Sequence, residues 1–330
     1  MLVLHKKSDD PSVVPLQPTN HALARIIRIL RRKIIHGYYR RYRATRPANL
    51  PPFSDDRTQF AGQVAPQLRD PEMVNLHWIS ELVDITTFFG AVGAPVVWTL
   101  HDMNPFTGGC HYDQRCGRFS ESCGACPQLG SHDRKDLSFK VWLRKKATFE
   151  AIPKNRLHIV APSQWMAAQL SRSSLLNRFS RSIIPNAVDT KVFAPTNPLP
   201  SREGRDVPCD KSVVLFVAPS IGTTRKGFRL LVEAIAMMSD REDIFLVSVG
   251  RRSGITEVEL PHLHLGSVRS DKALAEIYSL ADLFVIPSVD DNLPNTVLES
   301  MACGTPVVGF ETGGIPDMVR PGGTGLLADV

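Results

Sequence analysis

Asp291-Asn-Leu-Pro-Asn-Thr-Val-Leu-Glu299-Ser-Met-Ala-Cys-Gly-Thr-Pro-Val307 is the stretch whose reading decides the fold. Asp291 stands ahead of a helix start and Glu299 falls inside the helix. Pro294 is expected in the first helical turn, where its missing N–H is no loss. Gly304 is expected to end the helix, and Pro306-Val-Val-Gly-Phe310 to form a buried strand before Gly313-Gly314. A helix N-terminus offers free N–H groups and a partial positive charge, which at Asn295 and Thr296 would suit a diphosphate. Carboxylates accept from sugar hydroxyls, so the combination points to a nucleotide-sugar site. Taken alone, these residues also fit an ordinary capped helix with a solvated Glu299. The flanking Ala302-Cys-Gly-Thr-Pro-Val-Val308 and Gly313-Gly-Ile-Pro-Asp317 runs favour the ligand reading.

Outward from this stretch the chain alternates apolar β runs with helical patterns, the grammar of a parallel sheet. In the first half, Val74 to His77, Pro95 to His101, Leu157 to Ala161 and Ser182 to Ile184 read as strands, with a helix around Glu81 to Phe89. Ala194 to Asp210 holds four prolines and several charges and reads as a linker. The second half restarts the pattern with strands at Val213 to Val217, Ile244 to Ser248 and Leu283 to Ile286. Helices are expected at Phe228 to Met238 and Lys272 to Ala281. At 330 residues the chain has room for two domains. The expected division is 1–195, a linker at 196–210, and 211–330.

The acid–x7–acid segment resembles that of the retaining glycosyltransferases of GT-B fold known as glycosyltransferase family four. The resemblance implies an α/β chain of two Rossmann-like domains facing across a cleft. It implies transfer of a sugar from a nucleotide-sugar donor to a glycan or lipid-linked acceptor with retention, and no catalytic divalent metal. Asp291 takes the place of the acid that meets the donor sugar, and Glu299 that of the acid on the ribose. The family has Glu at the first place, so Asp291 is one methylene shorter. Arg225-Lys226-Gly227 resembles the family's Lys-Gly step, which gives Lys226, seconded by Arg225, to the diphosphate. Thr99-Leu-His101-Asp102 resembles the strand end that carries a histidine facing the donor sugar. His77 is a weaker candidate, and Asn186 and Asp189 in Pro185-Asn-Ala-Val-Asp are expected to shape a turn. Compared with the family, the opening strand with its Gly-Gly loop and the last helices are expected to be missing. A chain truncated at both ends follows, the alternative being a short homologue.

Cys110, Cys116, Cys123 and Cys126 fall within seventeen residues, a spacing that suits a structural zinc; unligated or redox thiols, a disulfide pair and an iron–sulfur site stay open. The segment from His101 to Leu129 resembles a bacterial subgroup of the colanic-acid and exopolysaccharide type. Arg25 to Arg46 holds nine Lys/Arg and no acid, with Leu23, Ile26, Ile27, Leu30 and Ile34 at helical spacing. Two readings stand: a helix that docks on an anionic membrane, and a domain helix with a solvated basic face. Net charge is +6, which favours anionic partners. Nucleic acid lacks support from interleaved aromatics or a known module, so a zinc-dependent nucleic-acid binder is a remote rival and a non-catalytic homologue a nearer one. No apolar run reaches the ~20 residues of a membrane span. No export signal is evident, so a cytoplasmic protein, peripheral on the inner face of a bacterial plasma membrane, is expected.

Overall fold

The computed structural model describes residues 1–7, 9–252, 258 and 260–330. The chain divides into two compact units, Met1–Ile184 and Pro185–Val330.

In unit 1, β1 (Leu2–Val3) and β2 (Val14–Pro15) pair in a small parallel sheet of their own. Helix α1 (Ala22–Arg40) follows. Strand β3 (Val74–Leu76), helix α2 (Ile85–Ala91), strand β4 (Val96–Thr99), helix α3 (Leu137–Ala151), strand β5 (Leu157–Ala161), helix α4 (Gln164–Arg172) and strand β6 (Ser180–Ile183) then build a parallel sheet in the order β3-β4-β5-β6. Helix α2 starts later than expected because Asp84 caps it, accepting from Thr87 N. The core of this unit centres on Trp98, which packs against Phe89 and Phe149.

In unit 2, helix α5 (Pro198–Glu203) precedes strand β7 (Ser212–Ser220), helix α6 (Phe228–Ala236), strand β8 (Ile244–Arg251) and strand β9 (His262–His264). Helix α7 (Asp271–Leu280), strand β10 (Leu283–Ile286), helix α8 (Asn295–Ala302), strand β11 (Val307–Phe310) and strand β12 (Gly325–Ala328) complete it. The sheet is parallel throughout, in the order β12-β11-β10-β7-β8-β9. Strand β7 shows why a continuous apolar run sits here. Val213 and Leu215 enter one core with Tyr278 of α7 and Val297 of α8, while Val214 and Phe216 enter another with Phe228 and Leu231 of α6. A strand buried on both faces has no polar side to show.

The expected linker 196–210 is corrected by the structure. Its middle is α5, begun by Asn197 and Pro198, and it belongs to unit 2. Arg202 is buried there, donating to Leu280 O at 2.8 Å and to the Asp282 carboxylate at 2.8 Å. A proline-rich start fits N1 of a short helix as well as a linker, and the two read alike in sequence.

Candidate functional site

In unit 2 the sequence candidates meet at the carboxyl ends of β7 and β10, where open parallel sheets bind ligands. A 3₁₀ turn, Thr224–Lys226, follows β7 and ends on Gly227 in the left-handed region, φ +72°. A Cβ at Gly227 would lie 1.8 Å from Pro287 O, so only glycine lets this turn press against the end of β10. Val289 N donates to Arg225 O, fastening the two loops.

The fastening brings both cations onto Asp291. Lys226 Nζ donates to Asp291 Oδ2 at 2.5 Å, and Arg225 lies 3.2 Å from Oδ1. Asp291 is 5% exposed. Burial pushes its carboxyl up, but Lys226 and then Arg225 outweigh burial and hold it below the usual carboxylate range. The backbone of Asp291 is gripped too. Gly314 N donates to Asp291 O at 3.0 Å, and a Cβ on Gly313 would meet that oxygen at 1.6 Å. The buried Ser288 hydroxyl, in the same loop, finds no hydrogen-bond partner among the described residues.

Pro294 stands one residue outside α8, as its N-cap, rather than in the first turn, so no side chain caps the helix. Asn295 is exposed and Thr296 half-buried at its start. Asn186 Nδ2 donates to Asn295 Oδ1 at 2.8 Å and to Leu293 O at 3.2 Å, a role beyond turn formation that its wide sequence separation hid. Glu299 accepts from the Tyr278 hydroxyl at 2.9 Å. Burial raises the Glu299 carboxyl above its usual value, the Tyr278 bond opposing. Tyr278 was missed because an apolar helix face explains a tyrosine without any site.

In unit 1, His101 follows β4. Its Nε2 lies 2.9 Å from His77 Nδ1, and the rings stack with centroids 5.2 Å apart. Burial and then His77 lower the His101 pKa, which favours the neutral ring. Asp102 organises the surroundings, accepting from Trp78 Nε1 at 3.0 Å, Asn104 N at 2.8 Å and His111 Nδ1 at 2.6 Å. His111 Nε2 in turn lies 2.8 Å from Ser54 Oγ. Lys145 is wholly buried and donates to Asn104 O and Thr107 O, pinning the loop after His101. Nothing in the local sequence distinguishes Lys145 from the surface lysines of α3.

The zinc expectation is corrected. Cys110, Cys116, Cys123 and Cys126 are free thiols that line one cavity of about 20 Å³. Among the described residues, however, no group of three or more His, Cys, Asp or Glu side chains could hold a metal ion. Cys123 Sγ accepts from Gly108 N at 3.0 Å, and burial pushes its thiol up to about 12. Burial likewise raises the Cys110 and Cys126 thiols.

The sequence profile of the family described as Glycosyl transferases group 1 matches residues 211–330. D-inositol 3-phosphate glycosyltransferase of Paenarthrobacter aurescens is 31% identical over 160 residues, which cover 44% of this chain and 39% of that protein. MMP alpha-(1->4)-mannosyltransferase of Mycolicibacterium hassiacum is 30% identical over 175 residues, 49% of this chain and 40% of the relative. The chain thus spans about two fifths of the length of the curated relatives it matches. Among solved structures, sucrose-phosphate synthase of Thermosynechococcus elongatus superposes with a TM-score of 0.62 at 18% identity, covering 96% of this chain and 70% of that one. Anabaena HepE, in complex with UDP and glucose, superposes at 0.57 and 16%, covering 96% and 72%. The chain therefore has the α/β architecture with parallel sheets of the GT-B glycosyltransferases, and residues 211–330, with their lysine, aspartate and glycine loop, are similar to glycosyl transferases group 1.

Proposed function

We propose that this chain serves in the transfer of a sugar from a nucleotide-sugar donor to a cell-surface polysaccharide or lipid-linked acceptor, with retention at the anomeric carbon. The observation that carries this reading is the convergence of the half-buried Lys226 and Arg225 on the buried Asp291, between the Gly227 turn and the Gly313 loop. Two cations converging at strand ends suit the charge that develops on a leaving diphosphate. Asn295 and Thr296 would add the N–H groups of the α8 start. Asp291 would serve the sugar once a diphosphate competes for its cations, and Glu299 the ribose. His101 is the proposed partner for sugar hydroxyls. Similarity to group 1 glycosyltransferases and the UDP held by HepE support the donor class. The exopolysaccharide-type acceptor and retention rest on the resemblance of residues 101–129 and of the acid–x7–acid segment. A cytoplasmic site of action with α1 against an anionic membrane belongs to the same reading; among the described residues no helix is long and apolar enough to cross a membrane.

A second reading, a non-catalytic homologue, is favoured by the saturation of Asp291 with both cations. Calorimetric titration with a panel of UDP-, GDP- and ADP-sugars, followed by an assay for nucleotide release, separates the two. The enzyme reading expects binding that Lys226→Ala weakens about tenfold or more, with nucleotide release. Binding without release selects the second reading, and absence of binding to every donor defeats both.

A further inference from the structure

Three side chains of unit 1 stand in one hydrogen-bonded line. His111 Nε2 lies 2.8 Å from Ser54 Oγ, and His111 Nδ1 lies 2.6 Å from Asp102 Oδ2. The Asp102 carboxylate also accepts from Trp78 Nε1 at 3.0 Å and from Asn104 N at 2.8 Å. A carboxylate has no proton to give, so His111 carries its hydrogen on Nδ1 and offers the Nε2 lone pair to the Ser54 hydroxyl. A nucleophile, a base beside it and an acid that orients the base are recognised by these roles, whatever their order in the chain. We propose that Ser54, His111 and Asp102 form a further catalytic site, one that hydrolyses carboxylic esters with an apolar acyl group. This goes beyond the proposed function and does not rest on it.

The surrounding backbone fixes this line in place. Ser54 N donates to Gly109 O at 2.9 Å, and Met103 N donates to His111 O at 2.9 Å, so each member is tied to the segment that carries its partner. Position 109 needs glycine for this: φ is +127°, and a Cβ would lie 2.5 Å from the Phe53 ring and 2.9 Å from Ser54 O. His111 is 4% exposed and Asp102 8%, whereas Ser54 is half-buried and lines a cavity of about 580 Å³. That volume is ample for a small molecule. Leu4, Ile35, Phe60 and Leu137 give the cavity apolar walls, which suit an apolar acyl group. Arg32 and Arg57 line it too and are the cations for a carbonyl oxygen that becomes negative. Asp55 and Glu81 oppose them, the first already bonded by Arg57 at 2.9 Å and Arg144 at 3.0 Å. In the proposed reaction Ser54 Oγ bonds to the ester carbonyl carbon while its proton passes to His111 Nε2. The bond from that carbon to the alcohol oxygen then breaks, and His111 returns the proton to the leaving oxygen. Water repeats the sequence on the acyl-serine, releasing the carboxylic acid and restoring Ser54.

The test treats the whole chain with a fluorophosphonate, locates the adduct by peptide mass spectrometry, and follows hydrolysis of p-nitrophenyl butyrate in parallel. The adduct is expected on Ser54, together with turnover of the ester. Ser54→Ala should abolish both, and His111→Gln, whose amide cannot take the proton, should lower both about a hundredfold or more. Ser54→Ala removes one hydroxyl from a half-buried loop residue, so its thermal midpoint should stay near that of the parent chain and its loss of turnover be chemical. No adduct on Ser54, no turnover by the parent chain, or turnover that Ser54→Ala leaves unchanged would each overturn the proposal and leave the hydrogen-bonded line as a brace for the loop after His101. Neither readout involves a sugar donor, so the outcome is separate from that of the proposed function.

Discussion

Asp291 and Glu299 are eight residues apart in sequence, and their environments push them in opposite directions. Asp291 is buried between two cations, so removing one partner leaves a buried charge half answered. Lys226→Met is expected to cost about 3 kcal/mol of stability in urea unfolding, and Asp291→Asn in the same background to restore part of it. A double variant no better than the single would show the pair is not coupled. The two acids also differ in the sign of their pH dependence. The folded-state pKa of Asp291 is depressed, so its contribution is complete above the unfolded value and lost as pH falls through the lower folded value. The folded-state pKa of Glu299 is raised, so its contribution is present below the unfolded value and lost as pH rises through the folded one. Asp291→Asn should therefore flatten the acid limb of the stability profile below about pH 4, and Glu299→Gln the decline just above it. Both acids were legible because a fixed spacing in a helix-and-glycine context marks them. Tyr278, Asn186 and Lys145 were not, because their partners lie far away in the chain.

The loops at the ends of β7 and β10 depend on two glycines whose need is geometric. Gly313→Ala would put a methyl 1.6 Å from Asp291 O at φ +58°, and Gly227→Ala one 1.8 Å from Pro287 O at φ +72°. Each is expected to cost more than about 2 kcal/mol, read as a lowered thermal midpoint. Gly62 makes the control: its φ is also positive, yet nothing lies within 4 Å of an added Cβ, so Gly62→Ala tests conformation without collision. A second element, edge strand β9, carries a different prediction. His262 and His264 both bond the buried Ser248 hydroxyl, at 2.7 and 2.8 Å. Burial, then His264 and Arg252, bring the His262 pKa down to about 4. A depressed histidine contributes stability above its unfolded value near 6.5 that is lost as pH falls towards 4. His262→Gln should remove the part of the slope between those limits, measured by urea unfolding at pH 4.5, 5.5 and 7. Strands and helices here followed their sequence patterns, since an apolar run fits only a doubly covered strand. The α5 region escaped because proline and charge mark a helix start and a linker alike.

At the scale of the molecule, charge is spread unevenly, and α1 concentrates it. Its nineteen residues contain none that is buried, and Leu23, Ile26, Ile27, Ile29, Leu30 and Ile34 are each more than half exposed. Arg31 of α1 meets Asp84 at 2.6 Å, while Tyr38 and Tyr39 pack beside Phe53 and Leu137. The amphipathic pattern is legible in the sequence, but whether its apolar side faces a core is not. In the described residues the stripe is exposed. An exposed apolar stripe within a cationic helix matches the boundary of an anionic bilayer, where each Lys or Arg adds about 1 kcal/mol and each buried aliphatic side chain about 1.5 kcal/mol or more. The helix should therefore bring the chain down with vesicles containing phosphatidylserine, and not with vesicles of phosphatidylcholine alone. Charge and apolar burial separate in their response to salt. Replacing Arg25, Arg28 and Lys33 by Gln should weaken sedimentation with the vesicles and flatten its salt dependence, while Ile26→Asp with Leu30→Asp should abolish it at every salt concentration. If the aspartate variant sediments as well as the parent chain, the stripe takes no part in binding and the basic face is merely solvated.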